Sequence, residues 1–371
     1  MSATIATLFS GGEGVGIGAR AAGLEHIWGI EYDDGIAQVA RENGFDVWTA
    51  DVRDVNPDDL QRPDVLHASP PCPNFSSAKV GAAEDESDVV LAQRVAEFIK
   101  RLRPAVFTLE NVYPYRKSQS WGIIRETLSE CGYWMDLAHM NAANFGVAQT
   151  RKRMVVRAMR GQMVPYLPQP QPWQGWYDAI DDLIPSLPES NFARWQIERL
   201  PEILTQTVLV SQGISRDHRG REYGITVRQA NELRAVLIGG QFNKPAGCDD
   251  REPQMALDDQ PAFTVTASYK GDWRGLIVNG ANAGRDLTVR WDDELMFTID
   301  ISRPSRHPKN AVMRSGQIVR MNIRALARFQ SFPDSYRLPD RQTLAGRIIG
   351  NAVPPVLYEK IIRQLIQTRE T

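Results

Sequence analysis

Four short runs in this sequence place reactive side chains beside turn-forming residues. Ser69-Pro70-Pro71-Cys72-Pro73-Asn74-Phe75-Ser76 fixes a cysteine between prolines. Cysteine is a strong nucleophile even when only partly ionised, and flanking prolines stiffen the loop that carries it. A free cysteine more often serves as a small buried hydrophobe. The loop context argues against that for Cys72, whereas Cys131 and Cys248 are expected to be of that ordinary kind. Glu110-Asn111-Val112 offers a carboxyl group, although an acid at a strand end is also a common surface feature. In Gln149-Thr150-Arg151-Lys152-Arg153, Arg151 and Arg153 share one side of an extended chain. Such a pair suits an anion or a base oxygen, or else an exposed edge that discourages aggregation. Phe9-Ser10-Gly11-Gly12-Glu13-Gly14-Val15-Gly16 is a glycine-rich turn, and Glu31 follows twenty-two residues after Phe9. A turn of this kind lets backbone approach a ligand, and an acid at the next strand end can bind ribose hydroxyls. Asp51 is placed to accept from an adenine amino group.

The elements that must hold these runs alternate. Strands are expected at Ala3–Phe9, His26–Glu31, Val47–Thr49, Val65–Ala68 and Ala105–Leu109, then near Tyr133–His139 and Met154–Ala158. Helical spacing falls between them, as at Val95, Phe98, Ile99 and Leu102. That order implies an α/β fold with a parallel, doubly wound sheet, whose ligands bind beyond the carboxyl ends of the strands. The cysteine run, the Glu110 run and the glycine-rich turn fall at such ends, and Gln149–Arg153 enters a strand. Composition shifts after Met163, where Pro165, Pro168, Pro170 and Pro172 crowd a stretch that reads as a domain crossing. The expected domains are residues 1–163, an irregular β-rich domain at 164–334, and a segment at 335–371 that returns to the first.

Composition excludes several classes. At 371 residues the chain is long enough for a large domain plus a smaller one. No apolar stretch approaches the roughly 18 residues of a membrane span, and Met1 to Phe9 reads as a strand, not a leader. Three scattered cysteines argue against a disulfide framework or a structural zinc site and suit a reducing cytoplasm. The net charge of −2 does not announce a nucleic-acid partner. Between Ser302 and Arg347, however, ten Lys or Arg residues meet only Asp334 and Asp340. This is either a phosphate footprint or a solvated basic face.

Taken together and in order, the runs resemble the DNA cytosine-C5 methyltransferase family of bacterial or phage type. The resemblance spans Thr7 to about Arg160 and Arg320 to Leu357. It includes Arg324-Ala325-Leu326-Ala327-Arg328-Phe329-Gln330-Ser331-Phe332-Pro333 and Gly350-Asn351-Ala352-Val353-Pro354-Pro355. It implies a Rossmann-like S-adenosylmethionine-dependent sheet with a smaller target-recognition domain. Methyl transfer to C5 of a flipped-out cytosine in duplex DNA would leave S-adenosylhomocysteine. Cys72 would attack C6, Glu110 would contact N3 and the amino group, and Arg151 and Arg153 would stabilise O2 and orient the Cys72 loop. Phe9, Gly11, Gly14, Glu31, Tyr32, Asp51, Pro71 and Asn351 would hold the cofactor.

The small residues of Asn74–Asp88 suit a lid, with Ser76 and Lys79 at phosphate, or else form a plain connector. Arg216, Arg219, Arg221, Arg228, Gln241 and Asn243 are the candidates for reading bases. A monomer in the cytoplasm, associated with the nucleoid and partnered functionally by a cognate restriction endonuclease, completes the expectation; no metal is expected. A tRNA cytosine-C5 methyltransferase or an inactive DNA-binding relative are the alternatives. Three positions depart from the family pattern: Glu13, where glycine is usual, Pro73, where glutamine is commoner, and Arg324-Ala325, where Arg-Glu is typical.

Overall fold

The computed structural model describes residues 2–71, 84–187, 235–237, 255–257, 260–262, 275–279, 316–320 and 322–370. The chain divides into two compact units. The first comprises residues 1–174, 264–267 and 327–371, and the second 175–263 and 268–326.

The first unit is built on seven strands: β1 (Thr4–Leu8), β2 (Glu25–Glu31), β3 (Val47–Thr49), β4 (Val65–Ala68), β5 (Val106–Asn111), β6 (Tyr133–Asn141) and β7 (Lys152–Arg160). Their order is β3-β2-β1-β4-β5-β7-β6. The chain winds outward from β1 in both directions, which puts the switch point between β1 and β4. Strands β1 to β5 pair in parallel. The expectation of an all-parallel sheet fails at β7, which runs antiparallel to both β5 and β6. A short 3₁₀ turn at Ala142–Phe145 precedes Lys152, and a connection this short permits a hairpin where a parallel pair would need a long crossover.

Helices α1 (Gly14–Ala21), α2 (Asp34–Glu42), α3 (Glu86–Leu102) and α4 (Gln119–Glu130) follow β1, β2, β4 and β5. Each begins at a side-chain cap: Glu13, Asp33, Asp85 and Ser118 accept from the first-turn amides. Asp85 and Asp88 complete a capping box, so the stretch expected as a lid is already helical at Glu86.

Alternation along the strands sorts the core. Ala6, Leu8, Leu66, Ala68, Phe107 and Leu109 pack with the buried face of α3 and with Ile124 and Leu128 of α4. Ile5, Val65 and Val106 point the other way and pack with Val15 and Ala19 of α1 and with Leu357, Ile361 and Leu365. The latter three belong to the final helix α8 (Pro355–Glu370). Between these apolar positions runs a polar row in register across the sheet. Gly29 pairs with Thr7, Thr7 with His67, His67 with Thr108, Thr108 with Arg157 and Arg157 with Asp136.

In the second unit, β8 (Ala235–Leu237), β9 (Met255–Leu257), β10 (Gly275–Asn279) and β11 (Gly316–Arg320) form an antiparallel sheet in the order β11-β10-β8-β9. Helix α5 (Trp176–Ile180) carries the fully buried Trp176, whose N–H donates to Gln260 O at 2.9 Å. Helices α6 (Ile323–Phe329) and α7 (Gln342–Asn351) precede α8. The sequence pattern did not reveal α7: its glycines, Gly346 and Gly350, carry little helix propensity, and burial of Ala345, Ile348 and Ile349 stabilises it instead.

Candidate active site

The carboxyl ends of β1, β2, β4 and β5 lie side by side in the sheet, with Leu8 opposite both Ile30 and Ala68, and Ala68 opposite Leu109. The glycine-rich turn leaves β1 through alternating left-handed residues: Phe9 at φ 58, Gly11 at φ 55 and Glu13 at φ 60. Phe9 is half-buried and packs against the α3–α4 side of the core. Glu31, the last residue of β2, accepts from Gly11 N at 2.8 Å through Oε2 and from Asp33 N at 2.9 Å through Oε1. Burial pushes its carboxyl up from the ordinary value, with the two amide hydrogen bonds opposing. A Cβ built on Gly11 meets nothing within 4 Å, so the turn faces open space there. Gly14 has no such room, since a Cβ would come within 2.3 Å of Val353 O.

Tyr32 is exposed. Asp51 binds Arg53 instead of standing free: its Oδ1 accepts from Arg53 N and Nε, and its Oδ2 from Nη2 at 2.6 Å. This hydrogen bonding to Arg53 holds its carboxyl below the usual range. A carboxylate offers about four acceptor positions, so one remains for a ligand.

Beyond β4, Ser69 N donates to Leu8 O, Pro70 is buried and Pro71 is exposed. Asn111 Nδ2 donates to Pro70 O at 3.1 Å. That bond ties the strand carrying Glu110 to the loop that reaches position 72 two residues later. Cys72, Ser76, Lys79, Arg216, Arg219, Arg221, Arg228, Gln241 and Asn243 lie outside the described residues, as do Pro73, Cys248 and the lid stretch up to residue 83. Cys131 is a buried free thiol.

Glu110 is buried, and its Oε1 has no hydrogen-bond donor. Arg153 Nε stands 3.0 Å from that oxygen, close enough for an ion pair but not directed as a hydrogen bond. Arg151 points elsewhere: fully buried, its Nη1 donates to Gly350 O at 3.1 Å and its Nε has no partner. Burial pushes its pKa down to about 9, with Arg153 adding to the shift and Glu110 opposing it. Sequence spacing put the two guanidinium groups on one face. The structure gives one to the carboxylate and the other to the turn that begins at Gly350. Asn351, the last residue of α7, is exposed.

Several supporting residues had no role in the sequence reading. His67 is buried between Thr108 Oγ1 and Ser69 Oγ, each at 2.8 Å, and Thr108 reaches Tyr358 OH at 3.0 Å. Burial pushes the His67 pKa down to about 3, so the ring is neutral at neutral pH. Gln149 Nε2 donates to Phe329 O and to Gln330 Oε1, and Gln330 Nε2 donates to Ala352 O at 2.7 Å. These bonds join the Gln149–Arg153, Arg324–Pro333 and Gly350–Pro355 runs. A polar residue inside an otherwise apolar strand, as in Val65-Leu66-His67-Ala68, was the available signal for His67. Of the basic segment, Arg328 pairs with Asp334 and Arg347 with Asp33, so those two cations are engaged within the fold.

Known proteins are similar to this chain in sequence and in fold. The family described as C-5 cytosine-specific DNA methylase matches residues 3–367. Type II methyltransferase M1.HphI of Haemophilus parahaemolyticus is 25% identical over 381 residues, covering 99% of this chain and 87% of that one. Type II methyltransferase M.AgeI of Thalassovita gelatinovora is 26% identical over 423 residues, covering 94% and 96%. Among solved structures, a putative DNA modification methyltransferase encoded within a prophage of E. coli superposes with a TM-score of 0.62 at 16% identity over 100% of both chains. The Dnmt2 methyltransferase of S. pombe does so with a TM-score of 0.59 at 13% identity, again over 100% of both. At such identities the solved structures speak for the fold.

Proposed function

The chain belongs to the C-5 cytosine-specific DNA methylase family, and from that premise we propose which of its residues carry each part of the reaction. The activity is methyl transfer from S-adenosylmethionine to C5 of cytosine in DNA. The turn fits this cofactor, because Gly11 faces open space and both Glu31 oxygens keep lone pairs beyond the amides they bind. Glu31 would take the ribose hydroxyls and Asp51 the adenine amino group. Phe9, Tyr32, Gly14, Pro71 and Asn351 would border the remainder. When bound, the cofactor supplies an electrophilic sulfonium methyl group.

The observation that carries the assignment is the Asn111 to Pro70 hydrogen bond, which keeps Glu110 beside the loop leading to Cys72. The Cys72 thiolate adds to C6 of the cytosine, and the displaced electron pair moves into the ring toward C5 and N3. The unmet Glu110 Oε1 is an acceptor for the 4-amino group, and Glu110 would also contact N3, where charge builds. Arg153, paired with Glu110, would bring a cation toward that charge. Arg151 orders the turn starting at Gly350. After C5 gains its methyl group, loss of the C5 proton and departure of the Cys72 sulfur restore both the ring and the thiolate.

A stacked base cannot reach these groups, so the cytosine must swing out of the duplex. Ser76 and Lys79 would contact phosphate beside it. Residues 164–334 would act as the target-recognition domain, with Arg216, Arg219, Arg221, Arg228, Gln241 and Asn243 as its candidate readers. The relatives' printed name, Type II methyltransferase, supports a role beside a cognate restriction endonuclease. Among the described residues no helix is long and apolar enough to cross a membrane. We place the protein as a cytoplasmic, nucleoid-associated monomer. The test is covalent capture on duplex DNA carrying 5-fluorocytosine, whose fluorine cannot leave as the C5 proton does. With the cofactor present, the native chain should form an adduct stable to denaturation and Cys72→Ser none. An adduct formed equally by Cys72→Ser would remove Cys72 from the mechanism.

A further inference from the structure

The glycine-rich turn closes around a carboxylate at a position where the family usually has glycine. Glu13 holds a left-handed backbone, φ 60 and ψ 39, a conformation that crowds any Cβ. Its side chain nevertheless turns inward and is fully buried. Three donors meet it there. Thr7 Oγ1 lies 2.6 Å and His26 Nε2 3.0 Å from Oε1, and Gly16 N lies 3.2 Å from Oε2. The His26 side chain is itself fully buried, and its Nδ1 has no partner. With the ring hydrogen on Nε2 facing the carboxylate, Nδ1 is a bare lone pair and leaves no donor unmet.

The surroundings are shaped for this carboxylate. A Cβ on Gly29 would come within 2.5 Å of Glu13 Oε1 and Ser10 Oγ and 2.8 Å of Thr7 Oγ1. A Cβ on Gly16 would come within 2.5 Å of Glu13 Oε2. From Thr7 the network continues to Ser10, whose Oγ lies 2.9 Å from Thr7 Oγ1 and donates its one hydrogen there, while Ser10 N donates to Ile30 O at 2.9 Å. Ser10 and Ile30 immediately precede Gly11 and Glu31, which bond each other at 2.8 Å. The buried carboxylate is therefore linked by two side chains to the pair of residues that faces the cofactor.

We propose that Glu13 is a positioning residue for S-adenosylmethionine: clamped by His26 and Thr7, it fixes the turn against β2 so that the Gly11 amide and the Glu31 carboxylate hold their binding geometry. The inference rests on the reading of this turn as the cofactor site. A plain helix cap would stabilise α1 without tuning cofactor affinity, and the experiment separates the two roles.

The full chain and its Glu13→Ala, Glu13→Gln and Glu31→Gln variants are compared by calorimetric titration with S-adenosylmethionine, by steady-state methylation of duplex DNA and by thermal melting. Glu13→Ala should raise both Kd and KM for the cofactor about ten- to hundredfold, because three buried donors lose their acceptor. Its kcat at saturating cofactor should stay within about twofold, since the residue touches no reacting atom. Glu13→Gln keeps one acceptor oxygen and should fall between, and it carries the test if the alanine variant does not fold. Native cofactor affinity in the glutamine and alanine variants, or a lowered melting temperature with Kd unmoved, overturns the proposal. If Glu31→Gln loses the cofactor in that same series, the site assignment survives the proposal's failure. A native chain that binds no cofactor overturns both.

Discussion

Glu31 joins two requirements that pull in opposite directions. Burial raises its pKa, while acceptance of ribose hydroxyls needs the ionised form. As pH falls through a value above the ordinary carboxylate range, the group takes up a proton and loses acceptor capacity. Affinity for S-adenosylmethionine should therefore weaken on acidification at a higher pH than an exposed glutamate would dictate. Titration of the native chain between pH 7.5 and roughly 5, alongside Glu31→Gln, checks this. The variant should bind weakly at every pH and lack the native transition, whereas an identical profile in both would assign the titration elsewhere. Glu31 was legible in the sequence because its strand-end position follows from pattern. The pairing of Asp51 with Arg53 was not, since a partner two residues away is recognisable only once the chain direction there is known. The same applies to Arg151 and Arg153, whose spacing gives a shared face but not a shared partner.

At the scale of elements, α1 and α8 cross where α1 is almost bare. A Cβ on Gly18 would come within 2.4 Å of Pro355 O and 3.0 Å of Glu359 N, both backbone atoms that cannot swing aside. Gly18→Ala would gain about 1 kcal/mol of helix propensity in an open helix. At this crossing, overpacking of about 1–3 kcal/mol should outweigh it. The expected result is a lower chemical-denaturation midpoint with unchanged slope, and a raised midpoint would mean the helices can separate cheaply. Gly122 in α4 makes a useful contrast, because a Cβ there meets nothing within 4 Å. Linear spacing could not say that the glycines of α1 serve contact with a segment more than three hundred residues later. It also missed α7, whose helical state depends on buried apolar positions more than on local preference.

For the molecule as a whole, the final helix completes the fold of the first unit. Leu357, Tyr358, Ile361, Ile362 and Leu365 are buried there, and Tyr358 OH ends the polar line through Thr108 and His67 to Ser69. Each buried aliphatic side chain contributes about 1.5–3 kcal/mol, so together they rival the about 5–15 kcal/mol by which a domain is stable. Truncation after Pro354 should yield a chain without cooperative unfolding or cofactor binding. A soluble truncated protein with a native-like melt would show that α8 is an accessory.

The order of motifs, the α/β class and the family were settled by sequence, because each depends on local pattern: strand runs, a glycine turn, a proline-bound cysteine, acids at strand ends. The antiparallel β7, the neutral His67 under the Pro70 loop, the division of labour between Arg151 and Arg153 and the inward turn of Glu13 were decided only in three dimensions. Each depends on which distant groups share a low-dielectric interior, where a polar atom must find a partner, and linear spacing does not specify that partner.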